Sequence, residues 1–531
     1  MTLILHHSGD LPPETAYDCW FGIAGAMPDL PVHRHLSDLA AKLESAFEEA
    51  ADGWLNFACE MSIEQAEQPS HVIACATNVS DFGEMLAWAR ICAKQVASED
   101  IVLAVCDDPW LFRHIAETVG TMTGAAPGFT VLRMRLAIRG FFARISYALK
   151  AAADSISLAS HRRDAKRSGA WLLVYGHPRS NSSGADGYFG DLPKKITHLW
   201  RVLHVDCPRN RAQVLKGDGR TVSLRGWGNP VLALTLPFRR WRPAEKFTRG
   251  TYGWLVRRAA ALEGGTAQAA AIEWQIYCQR AWLNSIAPDV VAWPWENHVW
   301  ERAFTKEARK RDTSTLGYQH SVVGRYMLNY SPASLPTRSA GLPDRMLCTG
   351  PSTRNQLLAW GVPAKRIDVG GALRFSSPAC PRHDPEGPIF VALPFDHVIA
   401  NEMMVAIRHV AKLGRRFVVR DHPMTPFQIE PDDSVQHAEG PLESLPAVSS
   451  VIYAATTVGL EALVGGLPTL RFRSRFKLSV DILPPGLEIP TTEISTLAAD
   501  LDRVSLLSPI DREHIFAQPD MTLWHSELNA R

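Results

Sequence analysis

No two of the nine cysteines, Cys19, Cys59, Cys75, Cys92, Cys106, Cys207, Cys278, Cys348 and Cys380, form a CxxC pair. Their scatter excludes a zinc ribbon and a thioredoxin-type redox motif. An odd, unclustered set fits the reduced thiols of a cytoplasmic protein better than a disulfide framework. No run of about 20 apolar residues occurs, so no transmembrane helix is expected and any membrane contact must be peripheral. The opening Met1-Thr-Leu-Ile-Leu-His6-His7 has neither a cationic start nor a signal-length apolar stretch, and reads as a first strand. Charge of one sign is missing too. Lys and Arg number 56 against 55 Asp and Glu, a net +1, which argues against nucleic acid as a partner. Internal repeats and long low-complexity tracts are absent.

What is present is a chain of 531 residues, 46% apolar and 21% charged. One core stops growing at about 250–300 residues, so two domains are expected. Short apolar runs alternate with helix-like stretches, which predicts an α/β fold with parallel sheets. Candidate strands are 72–75, 101–106, 171–175, 290–293 and 315–318, then 345–348, 367–369, 389–393, 416–420, 451–453 and 469–471. The Pro-, Ser- and Gly-rich segment 329–344 predicts the boundary, giving domains 1–335 and 336–531. The long, turn-rich stretch 176–190 reads as a functional loop or a mobile insertion.

The C-terminal half carries the sharper signal. Strand 451–453 leads into Ala-Ala-Thr456-Thr457-Val-Gly459-Leu-Glu461, then Gly465-Gly466-Leu-Pro468. The threonines fall at a predicted helix start, where free N–H groups favour an anion. Capping alone would explain a Thr pair equally well. Glu461 lies one turn on and can accept hydrogen bonds from ribose hydroxyls. Strand 416–420 ends in Arg420-Asp421-His422-Pro423, placing His422 at a carboxyl edge where ligands collect. An imidazole there can offset charge on a leaving phosphate. Gly350, Ser352, Gly371 and Arg374 follow two further strands, and the glycines would let backbone approach a ligand. Arg374, Arg420, Arg471 and Arg473 offer positive charge for a phosphate or a sugar carboxylate.

Together these pieces resemble the donor domain of bacterial GT-B glycosyltransferases of surface-carbohydrate biosynthesis. The His-Pro pair followed by a Ser/Thr-rich strand end is similar to enzymes that use cytidine-nucleotide donors: capsule Kdo transferases, bacterial sialyltransferases and CDP-glycerol polymerases. The resemblance covers about residues 345–475. It implies a GT-B fold of two Rossmann-like domains facing a central cleft. It also implies a CMP-linked ulosonic acid such as Kdo as donor, a lipopolysaccharide or capsule glycan as acceptor, and no cofactor or metal.

In the N-terminal half, Trp293-Pro-Trp295-Glu296-Asn297-His298 closes one predicted strand and Gln319-His320 the next. These segments resemble the N-domain of bacterial surface-carbohydrate biosynthesis proteins with Glu-Asn and Gln-His motifs. A transferred sugar needs an acceptor hydroxyl that loses its proton. Glu296 is the first candidate base, His320 the second and Asp107-Asp108 the third. Asn297, Gln319 and Asp108 are assigned to the acceptor. An acidic residue favoured by a helix dipole accounts for Glu296 without catalysis.

Met134, Ile138, Phe141, Ile145 and Leu149 recur at helical spacing within the basic stretch 131–167. A core-packed helix with a solvated basic face is the favoured reading. Peripheral contact with the inner face of a membrane is the alternative. Other functions compatible with the sequence are a UDP-hexose or CDP-polyol transferase, a sugar-nucleotide epimerase, and a non-catalytic nucleotide-binding scaffold.

Overall fold

The computed structural model describes residues 3–64, 70–96, 99–166, 168–337, 339–374, 380–422, 425–480, 482–506 and 510–529. Three parallel sheets follow one another along the chain. The first contains β1 (Leu3–His6), β2 (Cys19–Gly22), β3 (Val102–Val105) and β4 (Met122–Thr123), in the order β2-β3-β1-β4. It packs with the helices Leu39–Glu64, Phe82–Gln95 and Pro109–Val119.

The central sheet has seven strands: β5 (Ala170–Val174), β6 (Trp200–Leu203), β7 (Thr221–Ser223), β8 (Val290–Pro294), β9 (Ser314–Gln319), β10 (Arg345–Cys348) and β11 (Ile367–Val369). Their order is β11-β10-β9-β8-β5-β6-β7. Alternate residues of each strand enter opposite cores. Trp171, Leu173, Val291 and Trp293 go to one, and Leu172, Val174, Ala292 and Tyr318 to the other. Burial on both faces is why these strands read as continuous apolar runs. After the short pair β12 (Arg382–His383) comes the third sheet: β13 (Ile389–Ala392), β14 (Phe417–Arg420), β15 (Val435–His437), then, past β16 (Ala447–Val448), β17 (Ser450–Tyr453), β18 (Thr469–Phe472) and β19 (Thr491–Thr492). Its order is β15-β14-β13-β17-β18-β19.

Counted along the chain within each sheet, the orders are 3-2-1-4-5-6-7 and 3-2-1-4-5-6. That is the doubly wound Rossmann arrangement, which reverses direction between strands 1 and 4 and opens a ligand crevice there at the carboxyl edge. The expected α/β fold with two Rossmann-like units is therefore present.

The expected boundaries are not. Segment 329–344 joins β9 to β10, which pair with each other in the central sheet, so a division at 335/336 cuts through that sheet. The passage to the third sheet comes after β11. The first 123 residues contribute a sheet of their own. It meets the third unit through Glu44, whose carboxylate lies 2.6 Å from Arg471 Nη2, and through the Gly25 N–H donated to Phe476 O at 3.0 Å. Residues 72–75, expected as a strand, belong to the short helix His71–Ala74 and the left-handed residue that ends it. At the C-terminus the helix Met521–Asn529 returns to the central sheet. It buries Trp524 beside Leu172, Val290 and Tyr318, with the indole N–H donated to Gly370 O at 2.9 Å.

Candidate functional site

The central sheet's crevice is at the carboxyl ends of β5 and β8, and Glu296 stands just beyond β8. The turn carrying it is locked. Glu301, in the first turn of the helix Val299–Arg309, accepts backbone N–H bonds from Glu296, Asn297 and His298 at 3.0, 3.0 and 3.2 Å. The same carboxylate accepts the Trp293 indole N–H at 2.9 Å. Asn297 takes up a left-handed backbone (φ 57) and donates its amide to Asn329 O at 2.6 Å. Arg302, buried, donates to Asn297 O and Asn329 O at 3.1 and 3.3 Å. Glu301 and Asn297 thus fix the turn that carries the Glu296 carboxylate.

That carboxylate meets two imidazoles. Glu296 Oε2 is 2.8 Å from His298 Nε2, and Oε1 is 3.3 Å from His320 Nε2, just past β9. Burial works against ionisation of Glu296, but the bonds from His298 and then His320 outweigh it and hold the carboxyl well below its usual range. Burial also disfavours a charged His298. The Glu296 carboxylate wins there too, and His298 is raised above the ordinary imidazole value.

On the other side of His320, Nδ1 lies 3.4 Å from Arg374 Nη1. The guanidinium only donates, so this nitrogen is the acceptor and Nε2 carries the proton toward Glu296. Tyr188 closes the pocket, its ring 4.7 Å from that of His320 and 5.5 Å from the Arg374 guanidinium. Tyr188 comes from the 176–190 loop, which is bound down by Arg201. Buried in β6, Arg201 donates to Ala185 O and Asn181 O at 2.9 Å each. The loop is a built wall of the site.

The third sheet's crevice is at the ends of β13 and β17. Here stand Phe395, exposed beyond β13, and Thr456 beyond β17; His422, past β14, has its ring 5.7 Å from that of Phe395. Burial and then Arg420 lower the pKa of His422. Thr457 donates its hydroxyl to Glu461 Oε1 at 3.4 Å, and the Thr456 hydroxyl is buried with no hydrogen-bond partner among the described residues. Thr457 occupies the N-cap position of the following seven-residue helix, Val458–Val464, but its side chain makes no cap bond, so capping does not account for the threonine pair. Burial and then Glu443 push the Glu461 carboxyl up to about 7, against the pull of Arg420 and Arg374. Arg374 therefore acts electrostatically on the acid of the third sheet while contacting His320 of the central one. Pro423 lies outside the described residues.

Several sequence candidates do other work. Gly350 and Gly371 make room for the returning C-terminal segment rather than for a ligand. A Cβ on Gly350 would come 2.4 Å from Ile515 O, and one on Gly371, already at φ +81°, 2.3 Å from Gln518 O. Ser352 is buried in the helix Pro351–Ala359 of the central unit, outside the third sheet. Asp108 caps the helix Pro109–Val119 and pairs with Arg258 at 2.5 Å, which removes it from the acceptor and from base chemistry. Asp107 accepts from Ser8 at 2.8 and 2.7 Å. Asn297 is buried in its own turn, and Gln319 is fully buried beside Tyr330, so neither reaches an acceptor. Arg471 and Arg473 face Glu44, not the crevice. Sequence reasoning missed Tyr188, His298 and Phe395. His298 carried a readable signal, two residues after Glu296, whereas Tyr188 and Phe395 are aromatic loop residues with none. Among the described residues, no three His, Cys, Asp or Glu side chains are grouped to hold a metal ion.

No family model matches this chain and no curated protein matches it. Solved structures do. The UDP-GlcNAc 2-epimerase of Methanocaldococcus jannaschii aligns at 12% identity over 65% of this chain and 95% of its own, with a TM-score of 0.41. The calicheamicin glycosyltransferase aligns at 11% over 66% and 92%, TM-score 0.40. A lipopolysaccharide outer core galactosyltransferase aligns at 11% over 68% and 99%, TM-score 0.34. These scores describe a partial likeness, and the site chemistry rests on this chain's own residues.

Proposed function

We propose that this protein is a GT-B-type glycosyltransferase that moves a sugar from a nucleotide donor to a glycan hydroxyl. The observation that carries the proposal is Arg374, which touches His320 at one crevice and acts on Glu461 of the other. The nucleotide lies in the third sheet's crevice, with Phe395 beside the base, Glu461 on the ribose, and Arg420, His422 and the Thr456 and Thr457 hydroxyls on phosphate. The acceptor enters the central crevice under Tyr188.

His320 is the base in this reading, and Glu296 is its orienting partner. A carboxyl held so far toward its ionised form is a weak proton acceptor, whereas His320 presents Nδ1 as the acceptor with Nε2–H tied to Glu296. The acceptor oxygen attacks the anomeric carbon and its proton passes to His320 Nδ1. The bond from that carbon to the phosphate oxygen breaks, and the nucleotide leaves with the electron pair. Glu296 offsets the imidazolium charge. Arg374, displaced from Nδ1 by the acceptor, neutralises the departing phosphate.

For the donor we infer a CMP-linked ulosonic acid such as Kdo. Its support is the sequence pattern around His422 and the two crevice arginines, Arg374 and Arg420. The test is a thermal-shift panel with CMP, CDP, UDP, GDP and ADP on the wild-type chain and on His422→Ala and Thr457→Ala. A shift confined to cytidine nucleotides and lost in both variants is expected. A uridine-selective shift overturns the donor, and no shift with any nucleotide overturns the proposal. Product analysis without acceptor then separates transfer from epimerisation: an epimerised sugar nucleotide excludes the transferase reading.

A further inference from the structure

The helix Thr130–Ser157 turns the wrong stripe outward. Leu136, Gly140, Ala148 and Ala151 face the core, together with buried Arg144 and Asp154. Val131, Met134, Ile138, Phe142 and Leu149 are exposed by 71, 54, 59, 62 and 58%. The favoured expectation of a core-packed apolar stripe is thus reversed. Alongside runs the segment 230–244, whose Val231 and Phe238 are 71 and 72% exposed. From 129 to 153 and from 230 to 244 no acidic residue occurs, while Arg133, Arg135, Arg139, Lys150, Arg240 and Arg242 are exposed among the apolar side chains. Asp154, the helix's acid, is bound to Arg225 in the interior.

At one end of this face is a cavity of about 600 Å³. Arg133, Arg144, Arg240, Arg242 and Arg257 line it, with no acidic residue. Trp241 also lines it, 4% exposed, and its indole N–H has no hydrogen-bond partner among the described residues. Arg144 and Arg257 donate to carbonyls of the wall, yet five guanidinium groups with no carboxylate among the lining residues make the cavity favourable to an anion, and the exposed apolar face beside it is favourable to hydrocarbon.

We propose that this face docks the protein on an anionic phospholipid surface, with a lipid phosphate seated in the arginine-lined cavity. The exposed aromatic and aliphatic side chains enter the acyl boundary, as interfacial amphipathic helices do. The arginines meet the negative surface potential. Among the described residues no helix is long and apolar enough to cross a membrane, so contact is confined to one leaflet. This docking goes beyond the proposed transfer reaction and stands whether or not that reaction is correct.

The test is co-sedimentation of the full chain with vesicles of phosphatidylcholine alone and with about 30 mol% phosphatidylglycerol, near physiological salt. The anionic vesicles are expected to bind at least about tenfold tighter. The paired variants Phe142→Asp/Phe238→Asp and Arg240→Glu/Arg242→Glu change only exposed side chains, and their thermal melts check folding. Each should lower binding by about tenfold or more. Absence of sedimentation with either vesicle, or binding unchanged in both folded variants, overturns the proposal. So does a solution dimer that Phe142→Asp dissociates, because a second copy would then cover the face. Sedimentation abolished by millimolar inorganic phosphate alone would reduce the cavity to a free-phosphate site and overturn it as well.

Discussion

Replacing Glu296 by Gln removes one negative charge from between two imidazoles and keeps the shape of the side chain. His298 Nε2 lies 2.8 Å from the carboxylate, which puts the charge centres about 4 Å apart. At an effective dielectric of about 20 that attraction is about 4 kcal/mol. The Glu296 side chain is 33% exposed, and screening by water brings the figure to about 2 kcal/mol. The titration midpoint of His298 should therefore fall by about 1.5 pH units in Glu296→Gln. Nitrogen-15 NMR of labelled histidines reads this directly, with His298→Gln identifying the signal. The sign carries into stability. Because the folded value is raised above 6.5, the contribution is complete below that pH and is lost as pH rises through the folded value. A midpoint that moves by less than about 0.5 pH units would refute the argument, since no attraction worth 1 kcal/mol could then act between these groups. The base assignment depends on the same charge: loss of the orienting carboxylate should cut turnover by about 10²–10⁴-fold.

Glu263, pushed up to about 7 by burial against the single hydroxyl bond from Ser70, binds in the folded state a proton that the unfolded chain has released above 4.5. Its contribution to stability therefore falls as pH rises from 4.5 to about 7, and Glu263→Gln should flatten the urea midpoint over that window; an unchanged slope would count against it. Trp524→Ala removes a fully buried indole and its bond to Gly370 O, and should cost about 3–5 kcal/mol in urea unfolding. Because that bond secures the turn leading to Arg374, nucleotide-induced thermal shifts should weaken in the same variant. A loss under about 1 kcal/mol would mean the returning helix is not anchored there.

The strands of the two Rossmann-like sheets were legible wherever both faces are apolar, as in Ala170–Val174 and Ile389–Ala392. β6 was not, because Arg201 interrupts it. This buried cation is satisfied by Asp218 at 2.7 Å and by loop carbonyls, partners far off in the chain that no local pattern reveals. The same limit misassigned the helix Thr130–Ser157. Its apolar spacing was real, but periodicity says that a stripe exists and not which way it faces. The inward face is built instead of Gly140, Ala148 and Ala151, small enough for close approach, and Arg144, which donates to Gly264 O at 2.7 Å. Glu296 and His320 could be placed at neighbouring strand ends because strand ends are visible in sequence. What the sequence could not supply is that Gly350 and Gly371 serve the returning C-terminal segment. That contact is also what ties function to fold. Ala372 donates to Ala517 O at 2.8 Å, Tyr318 donates its hydroxyl to Gly371 O at 3.1 Å, and Leu373 donates to the same hydroxyl at 2.9 Å. Two of these bonds come from Tyr318 of β9 and one from Ala517, so the turn ahead of Arg374 is held jointly by the central sheet and by the returning segment.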